Sequence, residues 1–396
     1  PLYSSAASDV YKRQVEALRA QDGLYSILQL TPEGESAGIV DVHRRFAVAA
    51  QDPDGVVGLI AEPRHRILTL TVSEGGSVLV EGLTIAIPTY RRPDAVVCAV
   101  RGALAQAAAA AGAAGVSGDA AEVVVIDNDP SASARSAVSA LRADAPEGVG
   151  LRYVVESRPG VAAVRNRALD EATGRLLLFI DDDEEPEPGW LAALLATFAD
   201  TRPAAVAGLV VPVYDSEPDA WVRAGAFFER RTWPTGTLRP VAATNNLLLD
   251  LRFVRDHGLR FDEAFGATGG EDTLFTRRLV AAGGEIRWCD DARVRDHVPV
   301  ARLGREWILR RQRTHAATAV RVDLALAGPG LHVAGRTRAL GGGLMRVLLG
   351  SARTGLGLLS GSLTHRARGA RLVARGRGMA AASVGRGVHR EYGRAG

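Results

Sequence analysis

Between Leu176 and Trp190 the chain reads LLLFIDDDEEPEPGW: five apolar residues run directly into six carboxylates within seven positions. An apolar run this short predicts a strand covered on both faces, as in a parallel sheet. The acids then fall at its carboxyl end, where open α/β sheets hold their ligands. Pro186 and Pro188 rule out an immediate helix and predict a loop. Asp181, Asp182 and Asp183 crowded at one strand tip repel one another. A hard divalent cation, Mg²⁺ or Mn²⁺, relieves that repulsion by taking carboxylate oxygens together with substrate phosphates. The competing reading is a solvated acidic turn, and the flanking sequence decides between them.

Upstream, Leu83–Pro88 (LTIAIP) is an apolar strand ending in Thr89, Tyr90, Arg91, Arg92 and Pro93. Asp94 then caps a helix running to about Ala114. Glu122–Ile126 is a second buried strand, ending in Asp127, Asn128 and Asp129, with Ser131 as cap of a helix to about Ala143. Leu151–Val155 is a third strand, followed by Gly160 and a helix carrying Arg165, Asn166 and Arg167. This alternation predicts an α/β fold: a doubly wound, mostly parallel sheet with right-handed crossovers. Neither GxGxxG nor GxxxxGK[ST] follows any of these strands, which weighs against dinucleotide-binding and P-loop readings.

Charge is unevenly spread. Net charge is +3 over 396 residues, yet 331–396 holds twelve arginines against one acid, Glu391, so the remainder is net acidic. A basic tail on an acidic body suggests contact with anionic lipid or nucleic acid. Arg346 and Arg353 lie seven apart, on one helical face. With Leu344, Val347, Leu348, Leu358 and Leu359 they fit an interfacial amphipathic helix over Arg338–Leu363. No aromatics interleave with these arginines, so no specific nucleic-acid partner is expected. Cys98 and Cys289 do not suggest a disulfide framework, and a reducing compartment is expected. No signal peptide and no apolar run of about 18 residues is seen. Residues 1–14 read as a translated cloning or assembly leader, and 15–81 as a short extension of unknown role. There, Arg66–Val72 predicts a strand paired with Ser77–Val80 across Glu74-Gly75-Gly76.

The blocks TIAIPTYRR, VVVIDNDPS and RPGVAAVRNRALDEATGRLLLFIDDDEEPEPGWL resemble the nucleotide-sugar half of family 2 glycosyltransferases of the GT-A fold. TNNLLLD, GGEDTLFTRRLVAAGG and DARVRDH resemble the acceptor half. The blocks keep family order over roughly Leu83–Leu324. More loosely, the Arg-rich end resembles the tails of bacterial exopolysaccharide transferases. The implied division is a nucleotide-sugar half at 82–200, an acceptor half at 201–324 and a basic helical tail at 325–396.

The resemblance implies roles. Pro88, Thr89, Tyr90 and Asp127 hold the nucleoside, with Asp127 accepting from the base; a helix cap or Asx-turn is the alternative for Asp127. Arg165 approaches base and phosphate. Asp181 and Asp183 match the outer acids of the DxD motif, Asp183 as direct metal ligand, Asp181 on ribose or metal, with Asp182 beside the donor. His297, after a predicted strand Glu285–Cys289 and a DARVRD turn, matches a third metal ligand, against a surface or capping role. Asp272, opening a helix Asp272–Ala282, is the general base, with Glu271 as orienter, against plain capping. Gly270 lies near the acceptor, and Asn245 and Asn246 near the acceptor or donor sugar. Trp221, Phe227, Phe228 and Trp233 either line a sugar platform or anchor the core. Arg305–Arg313 departs from the Gln-x-x-Arg-Trp motif of processive members, which favours single-sugar transfer, with Arg310 or Arg311 meeting the pyrophosphate. The expected activity is metal-dependent, inverting transfer from a nucleotide-diphospho-sugar to a lipid-linked or polysaccharide acceptor at the inner face of a membrane. A GT-A-like nucleotidyltransferase and a catalytically silent accessory protein are the alternatives.

Overall fold

The computed structural model describes residues 82–113 and 121–386, together with five strands before them. The chain divides into two compact units, Pro1–Leu79 and Val80–Gly396. In the first, Ile27–Leu30 pairs antiparallel with Ser36–Val40, and Phe46–Gln51, Val56–Ala61 and Leu68–Thr71 form an antiparallel three-stranded sheet. The strand expected at Arg66–Val72 is present as Leu68–Thr71, with Val56–Ala61 as its partner. Ser77–Val80 and residues 1–14 lie outside the described residues.

The second unit is built on an eight-stranded sheet. Its strands are β1 (Leu83–Thr89), β2 (Ala121–Asp127), β3 (Val149–Val155), β4 (Leu176–Ile180), β5 (Glu184–Pro186), β6 (Ala205–Tyr214), β7 (Asn246–Asp250) and β8 (Ile286–Val298), in the order β5-β8-β6-β7-β4-β1-β2-β3. β3, β2, β1 and β4 are parallel; β7 runs against β4 and β6; β8 is parallel to β6, and β5 opposes β8. Six strands therefore point one way and two the other, a mostly parallel α/β sheet as expected. The helices are α1 (Pro93–Ala113), α2 (Arg135–Ala140), α3 (Val161–Glu171), α4 (Trp190–Thr201), α5 (Ala220–Gly225), α6 (Leu251–Asp256), α7 (Glu271–Ala281), α8 (Arg305–Leu326), α9 (His332–Leu359) and α10 (Leu363–Ser383).

β4 shows why its sequence carries no alternation. Leu176, Leu178 and Ile180 pack into the layer containing α1 and α4, while Leu177 and Phe179 pack into the opposite layer with α3 and α7. All five are buried. Each is worth roughly 1.5–3 kcal/mol of transfer free energy, so a polar residue is excluded at every position.

Several local expectations are corrected. Pro93 opens α1 and Asp94 sits in its first turn; proline suits that position because its missing N–H has no helical partner there. Ser131 does not cap α2, which begins at Arg135 after Ala134, four residues on; the Ser131 N–H donates to Asp129 Oδ1. The acidic loop after β4 contains a short strand: Glu184, Glu185 and Pro186 pair with Asp296, Arg295 and Val294. Proline is tolerated there because β5 is an edge strand. β8 runs for 13 residues straight through the DARVRD segment read as a turn, and His297 lies within it. The tail forms two helices, α9 and α10, in place of one.

Candidate active site

The topology brings the chemistry-bearing residues to one rim. β1, β2, β4 and β8 all end there, and β7, running the other way, begins there, with Asn246 opposite Ile180. A strand pair of opposite sense is what lets residues 65 positions apart, Asp181 and Asn246, share an edge.

The three aspartates face different partners. Asp182 is buried and accepts from Thr89 Oγ1 (2.8 Å) and Arg92 Nη1 (2.9 Å). Asp183 accepts from the same Arg92 nitrogen (3.0 Å) and from Arg302 Nη2 (3.4 Å). Asp181 Oδ1 lies 3.9 Å from Arg165 Nη2, and its backbone N–H donates to Glu184 Oε2 (3.0 Å). Glu184 is buried and takes a second bond from Asn245 Nδ2 (2.7 Å). Asp296, register partner of Glu184, is held 3.9 Å from Arg230. Burial raises the Asp181 carboxyl to about 7; Arg165 pulls it down, and Asp183 and Asp182 push it further up. Burial likewise lifts Glu184 well above its usual range, and raises Asp182 and Asp296. The rim thus holds more negative charge than its arginines neutralise comfortably.

Arg165 joins this acidic rim to the start of α7. Its guanidinium is buried and ion-paired with Glu271, also buried, while its other end reaches Asp181. Among the described residues Glu271 Oε2, which is buried, has no hydrogen-bond partner. Burial lifts the Glu271 carboxyl to about 7 against the pull of Arg165, with Asp272 adding to the rise. Asp272 follows in the first turn of α7, half-buried, with Oδ1 accepting from Thr273 N (2.5 Å) and Thr273 Oγ1 (3.1 Å). Two glycines permit this approach. Gly160, at φ 112°, opens α3 against the backbone of Gly266, which a Cβ would meet at 3.2 Å. Gly270, at φ 94°, opens α7 where a Cβ would strike Thr318 of α8 at 2.2 Å. Only glycine combines that φ with that approach.

Other predicted site residues fall in quite different surroundings. Asp127 is buried, and its carboxylate accepts from Asp129 N (2.8 Å), Ala134 N (3.0 Å) and Tyr153 Oη (2.6 Å). It braces the loop after β2, and burial beside it lifts the Tyr153 hydroxyl far above its usual range. Tyr90 is half-buried beneath the Arg91 guanidinium, 5.1 Å from its ring centre, and Pro88 is half-buried at the end of β1. Asn246, expected near the acceptor, is instead a core residue. Its Oδ1 accepts from Trp190 Nε1 (2.8 Å), and its Nδ2 donates to the carbonyls of Leu209 (3.1 Å) and Ala292 (2.8 Å). The His297 ring lies between Glu185 (3.7 Å) and Asp215 (3.8 Å). Among the described residues no three His, Cys, Asp or Glu side chains are arranged to hold a metal ion.

The aromatics anchor the structure. Trp221 stacks on Phe227, Phe228 on Trp307, and all four belong to an apolar cluster with Ile308 and Ala367; Trp233 packs edge-on to Trp288. On α8, Arg310 pairs with Glu306 (3.8 Å), whereas Arg311 lies over Trp307 and near enough to lower Asp296. Sequence reasoning missed Arg92, Glu184, Asp296 and Arg302. Arg92 was signalled by its place just after a strand tip. Glu184 was signalled by the acidic run itself, whereas Asp296 and Arg302 reach the rim only through the β5–β8 pairing and the chain that follows it.

The sequence pattern of glycosyl transferase family 2 matches residues 84–251, which carry β1 through β7 and every aspartate of the rim except Asp296. The chain is 34% identical over 231 residues to the succinoglycan biosynthesis protein ExoM of Rhizobium meliloti, covering 58% of this chain and 71% of that protein. It belongs to the family 2 glycosyltransferases and is a transferase enzyme. It is also 33% identical over 211 residues to the pre-mycofactocin glycosyltransferase of Mycobacterium tuberculosis, 51% of this chain but 42% of that one. Among solved structures, S. aureus TarS 1–349 in complex with UDP-GlcNAc is similar at TM-score 0.42 and 14% identity, covering 74% of this chain and 90% of that one.

Proposed function

We propose that this protein moves a sugar from a nucleotide-diphospho-sugar to a lipid-linked or polysaccharide acceptor, with inversion and with a divalent cation, at the inner face of a membrane. The observation that carries the reading is Arg165, which ties the rim aspartate Asp181 to the Glu271–Asp272 pair through one buried guanidinium. Donor-side and acceptor-side carboxylates thereby face one another across a single side chain.

In this reading Asp272 takes the proton from an acceptor hydroxyl. The freed oxygen attacks the anomeric carbon in line with the bond to the diphosphate, which breaks and releases the nucleoside diphosphate. One displacement inverts the anomeric centre. Glu271, fixed by Arg165, orients Asp272 and the acceptor. Asn245, through Glu184, holds the backbone at Asp181. Thr89 and Arg92 fix Asp182 at the base of the donor site. Arg311 and Arg302 supply positive charge beside the departing diphosphate.

Asp181 and Asp183 fit a Mg²⁺ or Mn²⁺ ion by their chemistry. They are hard oxygen donors, and burial, with neighbouring carboxylates, raises the Asp181 carboxyl to about 7. Two carboxylates without a full protein cage suit an ion that completes its shell with substrate phosphates. Bound there, it supplies charge to the leaving diphosphate. ExoM, by its name, serves succinoglycan biosynthesis, and an exopolysaccharide intermediate is accordingly the acceptor class to try first. The test is turnover of a sugar-nucleotide panel with and without Mn²⁺. Activity requiring the cation and lost in Asp183→Ala is expected; activity that survives both chelation and Asp183→Ala would remove the metal from the reading.

A further inference from the structure

α9 and α10 lie antiparallel at very short range. A Cβ at Gly343 would come 2.8 Å from Gly376 O, and one at Gly350 2.8 Å from Gly369 O. α10 continues onto the body, where a Cβ at Gly378 would meet Arg313 O of α8 at 2.1 Å. The inner face of α9 is thus closed by glycine. Its outer face carries Leu344, Met345, Leu348, Leu349, Leu356 and Leu359, exposed by between 52% and 90%. A soluble monomer rarely leaves so long an apolar stripe bare. No helix of the described residues is long and apolar enough to cross a membrane.

Beside this stripe, α8, α9 and α10 enclose a groove of about 670 Å³. Leu309, Leu358 and Val373 form its apolar wall, and Arg310, Arg313 and Arg377 supply charge against the single acid Glu306. Among the described residues no carboxylate pairs with Arg313 or Arg377. Leu358 belongs both to the groove and to the exposed end of α9. Residues 332–383 contain nine arginines and no acid.

We propose that the α8–α10 groove is a binding site for the phosphate of an anionic membrane lipid, with the α9 leucine stripe entering the interface alongside it. A phosphodiester headgroup matches the groove's arginines in charge, and an acyl chain matches the apolar wall. A second copy of this chain would bring two acid-free hairpins together and meet like charge along its length, so self-association is the disfavoured occupant. The inference rests on the membrane-surface part of the proposed function and gives it a specific contact.

The experiment is vesicle flotation of the full chain with phosphatidylcholine alone and with phosphatidylcholine plus phosphatidylglycerol. Wild type should float with the anionic vesicles. Arg313→Gln/Arg377→Gln should bind them roughly 30-fold more weakly, at about fivefold per arginine near the surface. Arg101→Gln/Arg142→Gln, removing the same charge elsewhere, should bind within about threefold of wild type. Leu344→Ser/Leu348→Ser should lose binding while remaining helical by circular dichroism. Equal loss in both arginine pairs would show a diffuse charge effect and overturn the site. Displacement by inorganic phosphate would overturn the lipid assignment, and a concentration-dependent dimer abolished by the leucine variant would overturn it in favour of a second copy. Sugar-nucleotide turnover of wild type is recorded alongside. Flotation without turnover upholds the lipid site and counts against the donor and acceptor proposed above, and turnover without flotation does the reverse.

Discussion

Arg165 and Glu271, 106 residues apart in the chain, form a buried ion pair whose arginine also reaches Asp181. The pair lies between two helices that the chain has no local reason to bring together. Its removal should therefore be felt both in the fold and at the site. Arg165→Met leaves Glu271 buried without its charge partner, a change that costs about 3–5 kcal/mol when one member of a buried pair is lost. Urea unfolding should show that loss, and Arg165→Met/Glu271→Met should recover much of it.

Asp181 gives a pH dependence of definite sign. Its folded-state carboxyl stands at about 7, above the ordinary 3.8. The folded protein therefore holds the extra proton, so the stability contributed by this group is full below pH ~4 and falls as pH rises to ~7. In a buffer free of divalent cations, Asp181→Asn should gain on wild type in thermal unfolding across that window. Added Mn²⁺ should narrow the gap at pH 7. A difference that stays constant from pH 4 to 7 would contradict the assignment.

Asp272→Asn retains shape and hydrogen bonding to Thr273 but cannot take a proton. Transfer should fall by about 10²–10⁴-fold, with donor affinity changed by no more than a few-fold. Isothermal titration with the nucleoside diphosphate separates the two effects. A parallel loss of donor binding would move Asp272 from base to donor ligand.

Asn246→Ala should behave as a fold variant. It strands Trp190 Nε1 and the carbonyls of Leu209 and Ala292 in the core. At about 1–3 kcal/mol for each buried group left unpaired, Tm should drop by ~5 °C or more. The acceptor KM of the protein that remains folded should be unchanged.

Gly376→Ala tests the helical hairpin. Alanine favours a helix over glycine by up to about 1 kcal/mol. Against that, its Cβ would sit 2.5 Å from the Gly343 carbonyl oxygen, a backbone atom that no rotamer change can move. Overpacking of this kind costs about 1–3 kcal/mol, so the clash wins. Limited proteolysis should cut α9 and α10 faster in the variant, and Gly341→Ala, with open space beside it, should slow cleavage by its helix preference alone.

Much of the fold was legible from sequence because its signals are local. LLLFI has no polar residue, so it belongs in a strand covered on both sides, and the acids that follow it can only lie at the strand's end. The same reasoning locates β1, β2 and β3 to within two residues. It failed at DARVRDH, whose alternating charges conceal an edge-side strand paired to Glu184–Pro186. Such a strand earns its conformation from a partner more than a hundred residues away, and no local preference announces it.

Asn245 and Asn246 mark the boundary. Adjacent and chemically identical, they are indistinguishable on the page. One reaches the acidic rim through Glu184, and the other closes three hydrogen bonds inside the core. Sequence alone determined which residue types stand at the strand ends, because apolar runs must be buried and carboxylates must find water or hydrogen-bond donors. Which of those carboxylates face one another was decided only by tertiary structure. The crossing of α3 and α7 through Arg165, and the opposed direction of β7, depend on packing between distant segments that no local pattern encodes.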